Sequence, residues 1–315
     1  MVDLEEDAAH FLEAVKAVNK LRPKFLLLTG DIVNSPPNPR KEDFDEEMRR
    51  AKRIITRVNE TIPVMLACGN HDIGDIFEDS DVQTYVEHFG ADYYGFWYDG
   101  IRFLVLNSNL MKNPHMCPER NEHQIWWFKE ELTQAKLCAH HVIIVTHHPW
   151  FLNRGDVPDS EDDEHGYWVI PDPIRSDLLH LLQSKKVKLL LSGHLHRNID
   201  GAKAFPHGRE NPNNTKKEEK EEEEDKSIDT DSIATDDMGG GDDVEGIDYD
   251  FRGPIQVVTT STAMSLENID IFNKNRDPNA EVEAGDLGFR IVKVYADKVK
   301  TQFIPLHDIP PQVDL

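Results

Sequence analysis

Residues 24–31 are Lys-Phe-Leu-Leu-Leu-Thr-Gly-Asp, and residues 187–194 repeat the pattern as Val-Lys-Leu-Leu-Leu-Ser-Gly-His. In both, a short apolar run ends in a glycine that is followed by a polar residue. Two further runs, residues 62–68 and 141–146, end in Gly69-Asn70-His71-Asp72 and His147-His148-Pro149. Runs of this length and composition are typical of strands buried on both faces of a sheet.

Segments with the period of an amphipathic helix lie between these runs. Their apolar stripes are Leu4, Ala8, Phe11, Val15 and Val18; Phe44, Met48, Ala51, Ile55 and Val58; Ile125, Phe128, Leu132 and Ala135; and Ile174, Leu178, Leu181 and Leu182. Alternation of strand and helix predicts an α/β fold. Because ligands of α/β sheets bind beyond the carboxyl ends of the strands, we expect the polar residues after the four runs to converge in one crevice.

The polar residues after the four runs have the chemistry of metal ligands. They provide one carboxylate, one amide oxygen and several imidazoles, a set that suits a divalent metal of intermediate hardness such as manganese, iron or zinc. A single histidine in such a place is more often an ordinary core or loop residue. Four elements, each at the end of an apolar run, together favour a metal-dependent hydrolase.

In order and spacing, these residues resemble the calcineurin-like metallophosphoesterase family over roughly residues 20–200. The motifs that carry the resemblance are Gly30-Asp31, Gly69-Asn70-His71, His147 and Gly193-His194-Leu195-His196. The resemblance implies a two-sheet β-sandwich flanked by helices, in the layer order α/β/β/α. It is strongest to a subgroup of cytoplasmic serine/threonine protein phosphatases, which implies a phosphoric monoester hydrolase whose partners are phosphoproteins.

The resemblance also implies a role for each motif residue. Asp31 would bridge two divalent metal ions, Asn70, His147 and His194 would complete one metal site, and His196 would belong to the other. His147 is preferred to His148 because the family places its histidine two residues before the proline. His71 would act as the general acid that protonates the leaving oxygen while a metal-activated hydroxide attacks phosphorus.

The Asp-x-His or Asp-x-Gln motif that opens the family pattern has no counterpart before Gly30. Asp7-Ala8-Ala9-His10 has the wrong spacing and lies in a predicted helix, so His10 is expected at the surface. We interpret the sequence as lacking an N-terminal segment with the first strand, which would leave neighbouring strands with unpaired backbone groups. The family pattern implies two metal ions, and the absence of this motif removes two ligands from one site while the other keeps its full set, so either two ions or one are compatible with the sequence. A metallophosphodiesterase and a non-catalytic phosphate-binding or scaffold protein remain alternatives.

A second departure lies three residues after Asp31. Asn34 stands where well-known protein phosphatases have an aspartate that orients the catalytic histidine, and its side-chain oxygen offers only a neutral acceptor. Ser35 stands where those enzymes have an arginine that binds phosphate. The substrate therefore cannot be inferred from that group.

Composition predicts the organisation of the chain. The 315 residues, 38% of them apolar, suffice for one large domain. We predict a metallophosphoesterase core over 1–208 and 253–305, an acidic disordered insertion at 209–252, and a tail at 306–315. The insertion is interpreted as a solvated linker, with docking of a basic partner as the alternative.

Charge and cysteine content exclude several classes of function. The net charge of −24 argues against binding of nucleic acid through a basic surface. The sequence has no apolar stretch long enough to span a membrane, and its three cysteines lack CxxC spacing, so a reducing, intracellular setting is expected. The resemblance to the phosphatase subgroup implies the cytoplasm. Trp150 and Phe151, beside an acidic loop at 156–164, are candidates either for the substrate rim or for the core. Oligomeric state is not predicted.

Overall fold

The computed structural model of the chain describes residues 4–34, 41–152, 165–204, 253–262, 281–283, 286–295 and 298–310. The predicted acidic insertion, the acidic loop at 156–164, Ser35 and the last five residues of the tail lie outside these ranges. Within them, the alternation of helices and strands confirms the α/β prediction. No helix in the described ranges is both long and apolar enough to cross a lipid bilayer.

The helices coincide with the apolar stripes of the sequence where such stripes exist. They are α1 (Leu4–Leu21), α2 (Lys41–Ile55), α3 (Asn70–Ile73), α4 (Asp79–Phe89), α5 (Ser108–Lys112), α6 (Pro118–Cys138), α7 (His165–Trp168) and α8 (Ile174–Ser184). The strands are β1 (Leu26–Leu28), β2 (Val64–Leu66), β3 (Tyr94–Tyr98), β4 (Ile101–Val105), β5 (His141–Val145), β6 (Leu189–Ser192), β7 (Asn198–Lys203), β8 (Ile255–Val258), β9 (Glu281–Glu283), β10 (Gly288–Val294) and β11 (Val299–Pro305).

The larger sheet has seven strands in the order β3-β4-β5-β6-β8-β7-β9. Its central strands β4, β5, β6 and β8 run parallel to one another. All residues of β5 and β6 are buried, as the continuous apolar runs predict. The carboxyl ends of β5 and β6 therefore bring His147 and His194 to the same edge of the sheet.

The remaining four strands form two small sheets. β1 pairs in parallel with β2, and β10 pairs with β11 in antiparallel fashion, as two separate two-stranded sheets. The expectation that β1 and β2 are buried on both faces is wrong, because every residue of both strands is only half-buried. Among the described strands, β1 and β2 pair only with each other.

Side-chain packing defines four layers. Phe25 and Leu27 pack against one face of the seven-stranded sheet, together with Val292 and Val294 of β10. On the other side of β1, Leu26 packs with the α1 stripe. The opposite face of the seven-stranded sheet is covered by apolar residues of α6 and α8 in the largest core cluster. The order is thus helix, small sheets, large sheet, helix, which confirms the predicted α/β/β/α architecture.

A cavity of about 950 Å³ lies between β1 and β10 and is lined by both strands, by α1 and by the larger sheet. The backbone N–H of Leu26 and the carbonyl of Leu28 bond toward β2, so those of Leu27 point to the opposite edge, at the cavity. In the described part of the chain, no strand pairs with this edge of β1. One end of the cavity reaches Asp31, His71 and His194.

Candidate metal centre

Four loop tips meet where the small sheets and the large sheet adjoin. Close approach of their backbones depends on two glycines. A Cβ atom at Gly30, which has φ +101°, would lie 2.5 Å from His147 Nδ1, and one at Gly69 would lie 2.2 Å from Asp31 Oδ1. Both distances are too short for non-bonded atoms, so any other residue would push these loops apart.

Four potential ligand atoms converge on one point of the metal centre. His147 Nε2 lies 3.2 Å from Asp31 Oδ2. The same nitrogen lies 3.1 Å from Asn70 Oδ1 and 3.1 Å from His194 Nδ1. Ligands bonded to one metal ion at about 2.0–2.2 Å are separated by distances of this order. The structure thus brings together the residues for which the sequence predicted a shared metal.

The second nitrogen of each imidazole determines which atoms face this point. His147 Nδ1 lies 2.8 Å from the backbone oxygen of Thr29, and His194 Nε2 lies 3.3 Å from that of Tyr167. A carbonyl oxygen only accepts, so these two nitrogens carry the protons. His147 Nε2 and His194 Nδ1 then present lone pairs to the oxygens of Asp31 and Asn70. With both imidazoles neutral, four lone pairs without a donor between them fit a bound cation, whereas a protonated His147 would donate from Nε2 to Asp31.

Electrostatics at the same point also favour positive charge. Burial tends to raise the pKa of Asp31, but the charge of His147 and its hydrogen bond outweigh burial and hold this pKa well below its usual range. Burial tends to lower the pKa of His147, and Asp31 overrides it to raise that pKa. The carboxylate therefore attracts a positive charge to the site.

Asp72 joins the two ligand loops of the small sheet, a role that the sequence did not predict. Its carboxylate accepts hydrogen bonds from the backbone N–H of Asp31 at 3.1 Å, Ile32 at 2.8 Å and Gly69 at 2.7 Å. Burial, and next the charge of Asp31, raise the pKa of Asp72 to about 7 while these N–H groups oppose the rise. An aspartate just after the Asn-His motif was visible in the sequence, but its partners Asp31 and Ile32 lie 41 and 40 residues away.

His71 is held at the edge of the centre. Its backbone N–H donates to Asp31 Oδ1 at 2.9 Å, and its ring Nδ1 lies 2.5 Å from the backbone oxygen of Asn34. The acceptor expected from Asn34 was its side chain, which instead donates to Asp7 Oδ2 at 2.7 Å. A backbone carbonyl thus orients the ring, with Nδ1 as donor, and leaves Nε2 for a substrate.

Other predicted residues lie around this centre. His196, with φ +50°, lines the same cavity as His194. His148 is buried, its Nδ1 is 3.0 Å from Ser108 Oγ, and its ring centroid is 4.4 Å from that of His194.

The two candidates for the substrate rim, Trp150 and Phe151, both belong to the core, where they are almost completely buried. His10, expected at the surface, is half-buried on α1.

Curated relatives of this chain are named as phosphatases. Over 192 residues the chain is 37% identical to a human protein named serine/threonine-protein phosphatase CPPED1. The matched region makes up 60% of this chain and 59% of the human protein. The zebrafish protein of that name is 33% identical over 201 residues, covering 62% of each chain. The chain thus spans about three fifths of the length of these relatives.

Solved structures share the fold at low identity. A purple acid phosphatase from yellow lupin seeds superposes with a TM-score of 0.59 and 15% identity, over 95% of this chain and 47% of that one. A dimetal phosphatase from Danio rerio gives 0.51 and 13%, over 96% and 87%. The profile of calcineurin-like phosphoesterases matches residues 3–198. The chain therefore belongs to the calcineurin-like phosphoesterase family.

Proposed function

We propose that the chain is a metal-dependent phosphatase that hydrolyses phosphoserine and phosphothreonine monoesters in proteins. The observation that carries the proposal is that Asp31 Oδ2, Asn70 Oδ1 and His194 Nδ1 all lie within 3.2 Å of His147 Nε2. The substrate class is supported by the relatives named as serine/threonine-protein phosphatases.

In the proposed reaction these four residues would hold a divalent metal ion, for which manganese, iron and zinc all suit the mixed oxygen and nitrogen donors. When bound, such an ion lowers the pKa of a water molecule and withdraws charge from phosphoryl oxygens. His196 is proposed to serve a second metal position, with Asp31 between the two. The protein's own contribution is to keep the ligand atoms together before a metal arrives.

His71 is proposed as the general acid. The alkoxide of serine or threonine is strongly basic, so its departure requires a proton. With Nδ1 directed to the Asn34 carbonyl at 2.5 Å, Nε2 is the nitrogen that remains to donate this proton. The backbone N–H of the same residue bonds Asp31, so acid and metal ligand are positioned together.

A cytoplasmic location is part of the proposal. Cys68, Cys117 and Cys138 are all free thiols, two of them buried, which suits a reducing compartment. A basic protein partner for the acidic segment at 209–252 is proposed from charge alone.

The test measures turnover by metal-stripped protein after addition of manganese, zinc or ferrous ion. We expect metal-dependent hydrolysis of a phosphoserine peptide and of p-nitrophenyl phosphate, with His115→Ala as an exposed histidine control that retains activity. Faster hydrolysis of bis-p-nitrophenyl phosphate than of the monoester would instead identify a phosphodiesterase. Phosphate binding without turnover at saturating manganese would identify a non-catalytic protein.

A further inference from the structure

Lys112, the last residue of α5, reaches across to α7. Its ammonium nitrogen donates a hydrogen bond to the backbone oxygen of Tyr167 and lies 4.4 Å from the centroid of the Tyr167 ring. Lys112 thus contacts both the backbone carbonyl and the side chain of Tyr167. A half-buried ammonium group needs such partners, since burying an unpaired charge is costly.

The same carbonyl oxygen also accepts from the metal centre. His194 Nε2 lies 3.3 Å from it, on the side of the imidazole opposite to the nitrogen that faces His147. The Tyr167 oxygen thus stands between Lys112 and His194. Its position decides whether the proton of neutral His194 resides on Nε2 or on Nδ1.

The segment that carries this carbonyl has little structure of its own. α7 has four residues, so its carbonyl groups lie at a helix end and lack intrahelical partners. Ring contacts of Tyr167 and Trp168 with His194, at centroid distances of 5.3 Å and 5.5 Å, fix the rings but not the carbonyl. Among the contacts in the described part of the chain, the hydrogen bond from Lys112 is the one besides that of His194 that holds this oxygen.

We propose that Lys112 is a positioning residue of the metal centre. It holds the Tyr167 carbonyl where that group keeps the proton of His194 on Nε2, which leaves the Nδ1 lone pair for a metal. Groups that orient a metal-bound histidine in this way typically change metal affinity or activity by about 10–100-fold. The inference rests on the proposed function only in requiring that the site binds metal.

The first test uses wild-type, metal-free protein labelled with ¹⁵N. Long-range ¹H–¹⁵N correlation spectra distinguish the protonated from the unprotonated nitrogen of each neutral imidazole. We expect His194 to be protonated on Nε2. Protonation of His194 on Nδ1 in the wild-type protein would overturn the proposal and needs no variant to interpret.

The second test compares Lys112→Met with Lys129→Met, which removes an exposed lysine of α6. In the metal-free protein, Lys112→Met should give a mixture of His194 tautomers, and zinc affinity by chelator competition should fall about 10-fold or more. Lys129→Met should match wild type, and Lys112→Arg, which keeps a charged donor, should recover most of the affinity.

The outcomes separate this inference from the proposed function. Wild-type tautomer and zinc affinity in a folded Lys112→Met protein would refute the role of Lys112. Wild-type protein that binds no metal at all would refute the proposed function, whatever the tautomer of His194. If Lys112→Met does not fold, Lys112→Gln, which removes the charge and shortens the side chain, takes its place, and wild-type tautomer and zinc affinity in that variant would refute the role of Lys112.

Discussion

The tripeptide Leu-Leu-Leu occurs in β1 and again in β6, with opposite results. In β6, Leu189–Leu191 are buried between β5 and β8. In β1, Leu26–Leu28 have β2 on one edge and the cavity on the other, and all three are half-buried. The sequences are identical, so the difference in burial comes from the neighbours. Within the described residues, the two-stranded sheet of β1 and β2 is therefore the less covered part of the core.

The proposed metal centre nevertheless draws its ligands from both regions. β1 and β2 lead to Asp31 and Asn70, whereas β5 and β6 lead to His147 and His194. The ligand atoms from the two regions meet within 3.2 Å. An open edge beside β1 has therefore not separated its loop tip from those of the large sheet.

Removing the ligand from either region should have the largest effect. We expect Asp31→Ala, on the β1 side, and His194→Ala, on the β6 side, each to abolish nearly all metal uptake, because each removes one of four converging donors. Elemental analysis of metal per chain checks this, with Glu130→Ala as an exposed carboxylate control. Normal loading of Asp31→Ala would mean that the ligand assignment is wrong.

His71→Ala should separate proton donation from metal binding. We expect metal content to stay normal, while turnover of an alkyl phosphate falls about 10²–10⁴-fold, the usual contribution of a general acid. The loss on p-nitrophenyl phosphate should be smaller, because p-nitrophenolate leaves with little protonation. Steady-state kinetics on both substrates measure the difference. Equal losses on both would count against an acid role.

Hydrogen exchange should report the open edge directly. The N–H of Leu27 points at the cavity, whereas Leu190 lies in a strand paired on both sides. We expect the amide of Leu190 to exchange at least about 100-fold more slowly, since only larger openings expose it. Residue-resolved exchange by NMR checks this. Equal protection of the two amides would show that the edge of β1 is covered in solution.

Truncation of the central leucine should show the smallest of these effects. Leu190→Ala removes a completely buried side chain and should lower the free energy of unfolding by about 2–5 kcal/mol. Leu27→Ala removes a half-buried one beside an existing cavity, so we expect about half that loss or less. Denaturant unfolding of both variants measures the difference. A larger loss for Leu27→Ala would contradict the assigned burial.

Local patterns predicted most of the fold. Apolar stripes located α1, α2, α6 and α8, and apolar runs located the strands that carry the ligands. Burial of β1 was mispredicted because a run of leucines does not reveal how many strands will adjoin it. The sequence placed the candidate ligands at strand ends, and the structure brings them to one point.

Features that depend on distant partners were not predictable. Asp72 accepts from distant backbone N–H groups. Lys112 and His194 both donate to the distant carbonyl of Tyr167. Backbone donors and acceptors are common to almost every residue type, so the sequence does not reveal which of them will be used. The same reason explains Asn34, whose carbonyl, common to every residue type, orients His71 where a side chain was expected.

The Asp72 carboxylate has a consequence for how tightly a metal is held. It fastens the Asp31 loop to the Gly69 turn, so two of the donors are preorganised as one rigid unit. An incoming ion then has little loop entropy to remove, and more of its bonding free energy appears as affinity. Even with an open strand edge nearby, half of the coordination shell is in place in advance.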